Sequence, residues 1–336
     1  METRDLLDER AADYRIIELW GAPQTIGARH ARYLRPVGTP FRPWPWEADR
    51  DFLRACVAIV RDLAPWLWQE VATFAEKVGL PTERGLFIRA GSMPQGCSAV
   101  AWRAPDGHIL AGRTYDFYTR MPTRHLLETT PTEGLAHLGM NGGLIGGRYD
   151  GVNEAGLFIA LHKVMTDRPA QLAPGVPYHL LPRVVLQQCR TANEAADLIQ
   201  AVPHLASFNY TLADAQGNLI GLECYPGRPV VRRTALEVLA VTNHYTATEL
   251  RPWEGSRPTA GSERRKVALE RIKEHTGDPW QVTQAMISDH AADVCCHREF
   301  GATLWAGVFD LTARRVAYCF GAPCRNPWQS FAFPGN

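Results

Sequence analysis

Residues 96–118 read GCSAVAWRAPDGHILAGRTYDFY. Two apolar runs, SAVAW and HILAG, flank Arg103-Ala104-Pro105-Asp106-Gly107. In such a loop proline pre-sets φ, aspartate bonds back onto its own backbone and glycine supplies a positive φ, so the chain reverses. The stretch predicts a β-hairpin over residues 98–112. With the turn centred near Pro105-Asp106, antiparallel pairing sets residue i opposite roughly residue 211 − i. Cys97 then faces Thr114, with Arg113 and Asp116 one or two positions away.

One hairpin thus gathers a thiol, a cation and a carboxylate. A cation beside a thiol favours the thiolate, which is the nucleophile. Gly96 has no side chain, so the carbonyl preceding Cys97 can approach the sulfur closely. A cut between Gly96 and Cys97 would free an α-amino group with a reference pKa near ~8. That amine can serve its own thiol as general base, and a carboxylate can hold it in place. The plainer reading of the same residues is a small buried Cys97 beside a surface Arg113–Asp116 pair.

The same turn logic recurs along the chain. RYDGVNEAGLFIALHKV (148–164) turns at Asn153–Gly156, NYTLADAQGNLIGLEC (209–224) at Gln216–Asn218, and TLWAGVFDLTARRVAYCF (303–320) near Thr312-Ala313. Residues 229–234 and 236–245 read as further strands. The region up to about residue 90 reads as helical. Within it, residues 50–80 show apolar positions at helical spacing, with a break at Pro65 and an end at Gly79 and Pro81. A helical pair follows over 178–189 and 191–202, capped at Thr191 or Asn193. A further helix spans 262–275, with Ser262 as its cap and cations in its last turn. Tight turns favour antiparallel pairing, and the interposed helices must cover the sheets. The expected fold is α+β: two antiparallel sheets with helices outside and an N-terminal helical segment.

Composition narrows the function classes. The 336 residues are 46% hydrophobic and 21% charged, with a net charge of +1. Such a balance gives no electrostatic reason for a nucleic-acid or membrane partner. No run approaches the ~18 apolar residues of a membrane span, and no basic segment leads into an apolar one at the N-terminus. The expected location is the cytoplasm. Eight cysteines scattered through the chain argue for thiols rather than a disulfide framework.

On GCSAVAW…GHILAGRTYDFY the sequence resembles the nucleophile hairpin of the cysteine N-terminal-nucleophile (Ntn) hydrolases. It is most similar to their penicillin acyltransferase-type branch, related to penicillin V acylases and bile-salt hydrolases. DGVNEAGLFIALH (150–162) resembles the second hairpin, LAVTNHY (239–245) the strand carrying an asparagine, and SERR (262–265) a Ser-x-x-Arg helix start. DHAADVCCH (289–297) with residues 303–324 resembles the C-terminal sheet and tail. The resemblance implies an αββα sandwich, made as a precursor that cuts itself between Gly96 and Cys97. Residues 1–96 would then be an N-terminal helical chain and 97–336 the catalytic chain, the two staying together as partners. It also implies roles. Cys97 supplies nucleophile and base, Asp116 holds the amine, and Arg113 matches an arginine of many relatives. Asn243 donates to the oxyanion, and Arg264 is assigned as the family's arginine, with Arg265 next to it. Backbone near His162 supplies a second donor, where bile-salt hydrolases have an asparagine. The substrate class would be a linear, non-peptide amide or an acyl thioester, with no cofactor.

Other constellations carry weaker signals. His290, Cys295, Cys296 and His297 lack a Cys-x-x-Cys pair, and adjacent cysteines suit one tetrahedral site poorly, so no metal is expected. NGGLIGG (141–147) fits no phosphate-binding fingerprint. His162 or His244 could pair with a thiol in an uncut Cys–His hydrolase. An inert Ntn-type scaffold that only binds is a further alternative. The tryptophans, among them Trp44, Trp46, Trp66, Trp68 and Trp102, read as core or interface. Trp66 and Trp68 lie two apart and cannot share a helix face.

Overall fold

The computed structural model describes residues 12–34, 50–83, 96–166, 173–256, 258–298 and 301–335. Along the chain run β1 (Ile16–Gly21), α1 (Pro23–Tyr33), α2 (Arg50–Leu63), α3 (Pro65–Val78), β2 (Ser98–Arg103), β3 (Ile109–Tyr118), β4 (Leu126–Pro131), β5 (His137–Met140), β6 (Asp150–Asn153) and β7 (Phe158–Lys163). Then follow α4 (Leu180–Gln188), α5 (Ala192–Ala201), β8 (Phe208–Ala213), β9 (Leu219–Cys224), β10 (Val231–Ala235), β11 (Val238–Val241), α6 (Ala260–Glu270), α7 (Pro279–Ile287), β12 (Gly301–Asp310), β13 (Arg315–Phe320) and β14 (Trp328–Phe331).

The strands form two sheets. One has the order β1-β4-β5-β6-β7-β8-β9-β10, the other β11-β2-β3-β12-β13-β14. All four expected hairpins are present, as β2–β3, β6–β7, β8–β9 and β12–β13. Among the described strands the pairings are antiparallel, except that β1 runs parallel to β4.

Alternation within β2 and β3 explains the layering. Ala99, Ala101, Ile109, Ala111 and Tyr115 point into the core between the sheets, where they meet Phe158, Leu161 and Phe309. Val100, Trp102 and Leu110 point the other way, onto Leu269, Val282 and Ile287 of the covering helices α6 and α7. Gly112 lies on that outer face because a Cβ there would come within 2.8 Å of Thr283. Trp102 adds a bond from Nε1 to Thr283 Oγ1 at 3.0 Å. On the far side, α4 packs on β6 and β7, and α5 on β8 and β9. The central strands of both sheets are covered on both faces and so are buried almost throughout, whereas the edge strands β1, β10 and β14 are partly exposed.

Local signals hold at the helices. Ala64 and Pro65 divide α2 from α3, and Gly79 ends α3 in the left-handed region at φ 69°. Thr191 caps α5 by accepting from the Glu194 N–H. Arg183 packs over Trp66 while Arg61 lies over Trp68, so the two indoles face apart. Three expectations are corrected. The N-terminal region is not all helical, because IIELWG is a strand. Its partner β4 lies more than a hundred residues away, so no local turn announces it. Ser262 does not cap α6, which begins at Ala260; its hydroxyl is turned to Asn243 instead. The last turn of α6 carries no cation either; Arg271 and Lys273 belong to a following 3-10 turn. Trp44, Trp46 and most of the expected cleavage-flanking segment (91–95) lie outside the described residues.

Candidate active site

Cys97 immediately precedes β2, and the parity of that strand turns it inward among the inter-sheet core residues. The hairpin register differs by one from the sequence expectation: Ser98, rather than Cys97, pairs with Thr114. The turn is centred on Asp106, with the Ala104 N–H bonded to His108 O at 2.8 Å. Arg113 consequently pairs with Ala99, on the inward face.

Arg113 is fully buried. Its Nε donates to Asp150 Oδ2 at 3.2 Å. Asp150 also accepts from Trp305 Nε1 at 2.9 Å and from the Tyr318 hydroxyl at 3.0 Å. This fixed cation helps to counter burial at Cys97. Burial raises the Cys97 thiol pKa; Arg113 lowers it, the Asp116 charge raises it, and a backbone hydrogen bond from Asp116 lowers it again.

Asp116 lies in β3 opposite Thr303, beside a bulge in β12 between Thr303 and Trp305. Thr303 Oγ1 donates to its Oδ1 at 2.7 Å, and the Cys296 thiol lies close by. Among the described residues its second oxygen, Oδ2, is buried without a hydrogen-bond partner. Burial raises the Asp116 pKa to about 6, against the opposing pull of Arg265, Thr303 and Arg113. A buried carboxylate oxygen without a donor is rare and costly. Here it stands close enough to Cys97 for its charge to act on the thiol.

Asn243 follows β11. Its amide presses on Gly96: a Cβ at Gly96 would fall 2.6 Å from Nδ2 and 2.9 Å from both Cγ and Oδ1. Two bonds fix that amide and a third fixes the backbone that carries it. Nδ2 donates to Lys163 O at 2.9 Å, the Asn243 N–H donates to Ser262 Oγ at 2.8 Å, and Arg265 Nη2 donates to Oδ1 at 3.1 Å. Ser262 and Arg265 stand three apart in α6, so they share a helix face. Arg264 is rotated away, is about half exposed, and pairs with Asp293 at 2.8 Å. The structure therefore places Arg265, not Arg264, on the Cys97–Asp116–Asn243 cluster.

His162 is buried, with Nδ1 3.4 Å from both Cys97 O and Arg113 Nη1, and Nε2 2.9 Å from Thr211 Oγ1. Burial and the neighbouring Arg113 push its pKa well below the usual imidazole value. His244 is committed to Thr242 Oγ1 and Ser262 Oγ. Both rings therefore have other partners than the Cys97 sulfur.

Several contributors escaped the sequence reading. Asn209 pairs in register with His162 and donates to Thr242 O at 3.1 Å and His244 O at 2.8 Å, bracing both sides of Asn243. Asp150 anchors Arg113, and Thr303 holds Asp116. Each is a polar residue within a wholly buried strand (FNYTLA, DGVN, GATLWAGVFD). That pattern is the one signal that could have marked them. An aromatic wall completes the site: Tyr115 stacks on Trp305 at 4.0 Å and meets Tyr149 at 4.6 Å, and Tyr178 stacks on Phe208 at 4.3 Å.

Two facing sheets, helices outside, and a cysteine entering an inner strand define the αββα sandwich of the Ntn hydrolases. The family model described as acyl-coenzyme A:6-aminopenicillanic acid acyl-transferase matches residues 102–325. That is more than half of the chain, and the protein belongs to this family. The N-acylethanolamine-hydrolyzing acid amidase ortholog of Caenorhabditis elegans has a similar structure, with TM-score 0.50, 14% identity, and 64% of this chain and 93% of that one covered. Penicillin V acylase from Agrobacterium tumefaciens gives TM-score 0.44 at 17% identity, covering 67% and 83%. A conjugated bile acid hydrolase from Clostridium perfringens gives 0.42 at 14%, covering 70% and 97%. Among curated proteins no match was found. The protein is thus a member of this acyl-transferase family, with the Ntn-hydrolase fold. No helix among the described residues is long and apolar enough to cross a membrane.

Proposed function

We propose that the chain cuts itself between Gly96 and Cys97, and that the freed Cys97 is the nucleophile of an amidase or acyltransferase. The observation that carries this reading is the pairing of two features at one peptide bond. The Asn243 amide lies against Gly96 on one side, and the partnerless Asp116 Oδ2 waits near Cys97 on the other.

In the precursor step, Cys97 Sγ attacks the Gly96 carbonyl carbon. The C–N bond breaks, the thiol proton passes to the departing amine, and a thioester links Gly96 to the sulfur. Water opens that thioester, leaving a Gly96 carboxylate and a Cys97 with free thiol and α-amine. Residues 1–96 and 97–336 become two associated chains. Asp116 is then a buried anion that can hold the neutral Cys97 α-amine and stabilise the ammonium it becomes when it takes the thiol proton. Asn243 offers its Nδ2–H to the oxyanion of each tetrahedral intermediate, a contribution typically worth ~3–4 kcal/mol. Arg265 holds that amide in place through Oδ1. In turnover the same amine takes the thiol proton as sulfur attacks a linear amide or thioester, and returns it to the leaving group. The aromatic wall fits an apolar acyl portion.

The test is the denatured intact mass of freshly purified protein beside Cys97→Ala. Two fragments meeting between Gly96 and Cys97, with an uncut variant, are expected. A single intact chain in both would overturn self-processing. Product partitioning with an added amine then separates the two activities: a product ratio unmoved by the amine would mark a hydrolase.

A further inference from the structure

Four side chains outside the catalytic cluster converge near the surface: His290, Cys295, His297 and Cys324. Each offers one ligand atom, and these atoms all lie within 4.8 Å of one another. Cys295 Sγ is 3.7 Å from His297 Nε2, which is in turn 3.1 Å from Cys324 Sγ. The His290 and His297 rings meet edge to face, at 5.3 Å and 88°. Tetrahedral zinc with bonds of ~2.0–2.3 Å requires ligand atoms about 3.3–3.8 Å apart. Most of the contraction needed to enclose one ion is already present.

From this geometry we infer a tetrahedral Cys2His2 zinc site formed by His290, Cys295, His297 and Cys324. The inference is independent of the catalytic reading. Two thiolates and two neutral imidazoles neutralise a divalent ion, which suits the partly buried setting. Sulfur and imidazole donors in tetrahedral array select zinc over the hard oxygen-seeking cations. Binding displaces the two thiol protons and leaves the oxidation state of both sulfurs unchanged. A disulfide between Cys295 and Cys324 would use no histidine, whereas here His297 Nε2 stands close to both sulfurs.

The ligand that completes the set is Cys324. Sequence spacing around Cys295-Cys296 suggests no tetrahedral group, because the fourth donor arrives from 27 residues beyond His297. It is delivered by the turn that follows β13. Cys296, the adjacent cysteine, faces elsewhere: its N–H takes Thr303 Oγ1 at 3.0 Å, and that hydroxyl serves Asp116. The ion would thus staple the 290–297 loop to the C-terminal tail, one residue from the bonds that hold Asp116.

The test uses the full chain, expressed and purified under reducing conditions, reconstituted with zinc chloride and desalted. Metal analysis should give one zinc per chain. Cobalt(II) in its place should show the intense visible bands of tetrahedral coordination with thiolate charge transfer. Cys324→Ser and His290→Ala, at exposed positions, should each weaken zinc by more than the roughly 10–100-fold typical of losing an outer-shell partner. His275→Ala, an exposed histidine elsewhere, should keep the ion. No retained zinc in the folded parent chain would overturn the site. So would undiminished binding in both ligand variants, or a Cys295–Cys324 disulfide in the freshly purified protein.

Discussion

Gly96→Ala probes the contact on which the proposed chemistry turns. The new methyl would lie 2.6 Å from Asn243 Nδ2, where ordinary contact begins at 3.4 Å. Asn243 must retreat by roughly 0.8 Å, because a carbon–nitrogen contact this short lies on the repulsive wall. Two bonds oppose the retreat, Nδ2 to Lys163 O at 2.9 Å and Arg265 Nη2 to Oδ1 at 3.1 Å. Losing one neutral bond and one to a charged group costs about 2–4 kcal/mol. Staying put costs a comparable ~1–3 kcal/mol of overpacking. Retreat takes the amide from its place against Gly96, staying put strains the Gly96–Cys97 bond it faces, and a lost oxyanion donor slows acyl transfer by about 10²–10³-fold. The assay follows conversion of precursor to two fragments by denaturing mass spectrometry, with circular dichroism to show that the fold is kept. Asn243→Gly supplies the control. It removes the obstructing amide, so adding Gly96→Ala to it should change little, and the pair should be strongly non-additive. Self-cutting of Gly96→Ala within about threefold of the parent would refute the reasoning. So would a double variant slowed by the full product of the single effects.

Further expectations follow from the same geometry. Arg265→Ala should slow self-cutting by about tenfold or more, because it frees the Asn243 amide to rotate. Arg264→Ala should stay within about twofold, since an exposed ion pair is worth ~0–1 kcal/mol; equal effects would return the role to Arg264. Asp116 carries a pH signature in the uncut Cys97→Ala chain. Its folded pKa, raised by burial to about 6, exceeds the unfolded value of ~3.9. The fold therefore binds the proton more tightly than the unfolded chain. Stability is free of this penalty below the unfolded pKa, falls as pH rises from ~4 to ~6, and stays reduced above, by on the order of 3 kcal/mol. Urea titrations across that window should show the fall, and Asp116→Asn should flatten it. A Cys97→Ala chain whose stability rises over the same window would count against a strained carboxylate.

The hairpins were legible because each is decided within about twenty residues. Pro105-Asp106-Gly107 and its counterparts specify a reversal, which brings the apolar runs beside them into antiparallel pairing. Position 97 beside Arg113 and Asp116 followed from that turn, to within one residue. The error arose because centring the turn on Asp106 or half a residue earlier is a matter of backbone hydrogen bonding, not composition. Thr191 as a cap and Gly79 as a helix end were readable for the same local reason.

Long-range packing decided the rest. β1 pairs with β4 in parallel, a contact that carries no turn to announce it. SERR contains two adjacent arginines with the same chemistry. Only the rotation of α6 against β11 turns Ser262 and Arg265 toward Asn243 and leaves Arg264 to solvent and Asp293. Asn209, Thr303 and Asp150 owe their roles to partners on other strands. Cys324 joins His290, Cys295 and His297 because β12 and β13 fold back as a hairpin. The sequence by itself determined the turns, the hairpin strands they join and the place of Cys97 beside the first of them, since these depend on neighbours in the chain. Which polar groups share one buried space depends on how the two sheets and their helices pack, and that was settled only by the tertiary structure.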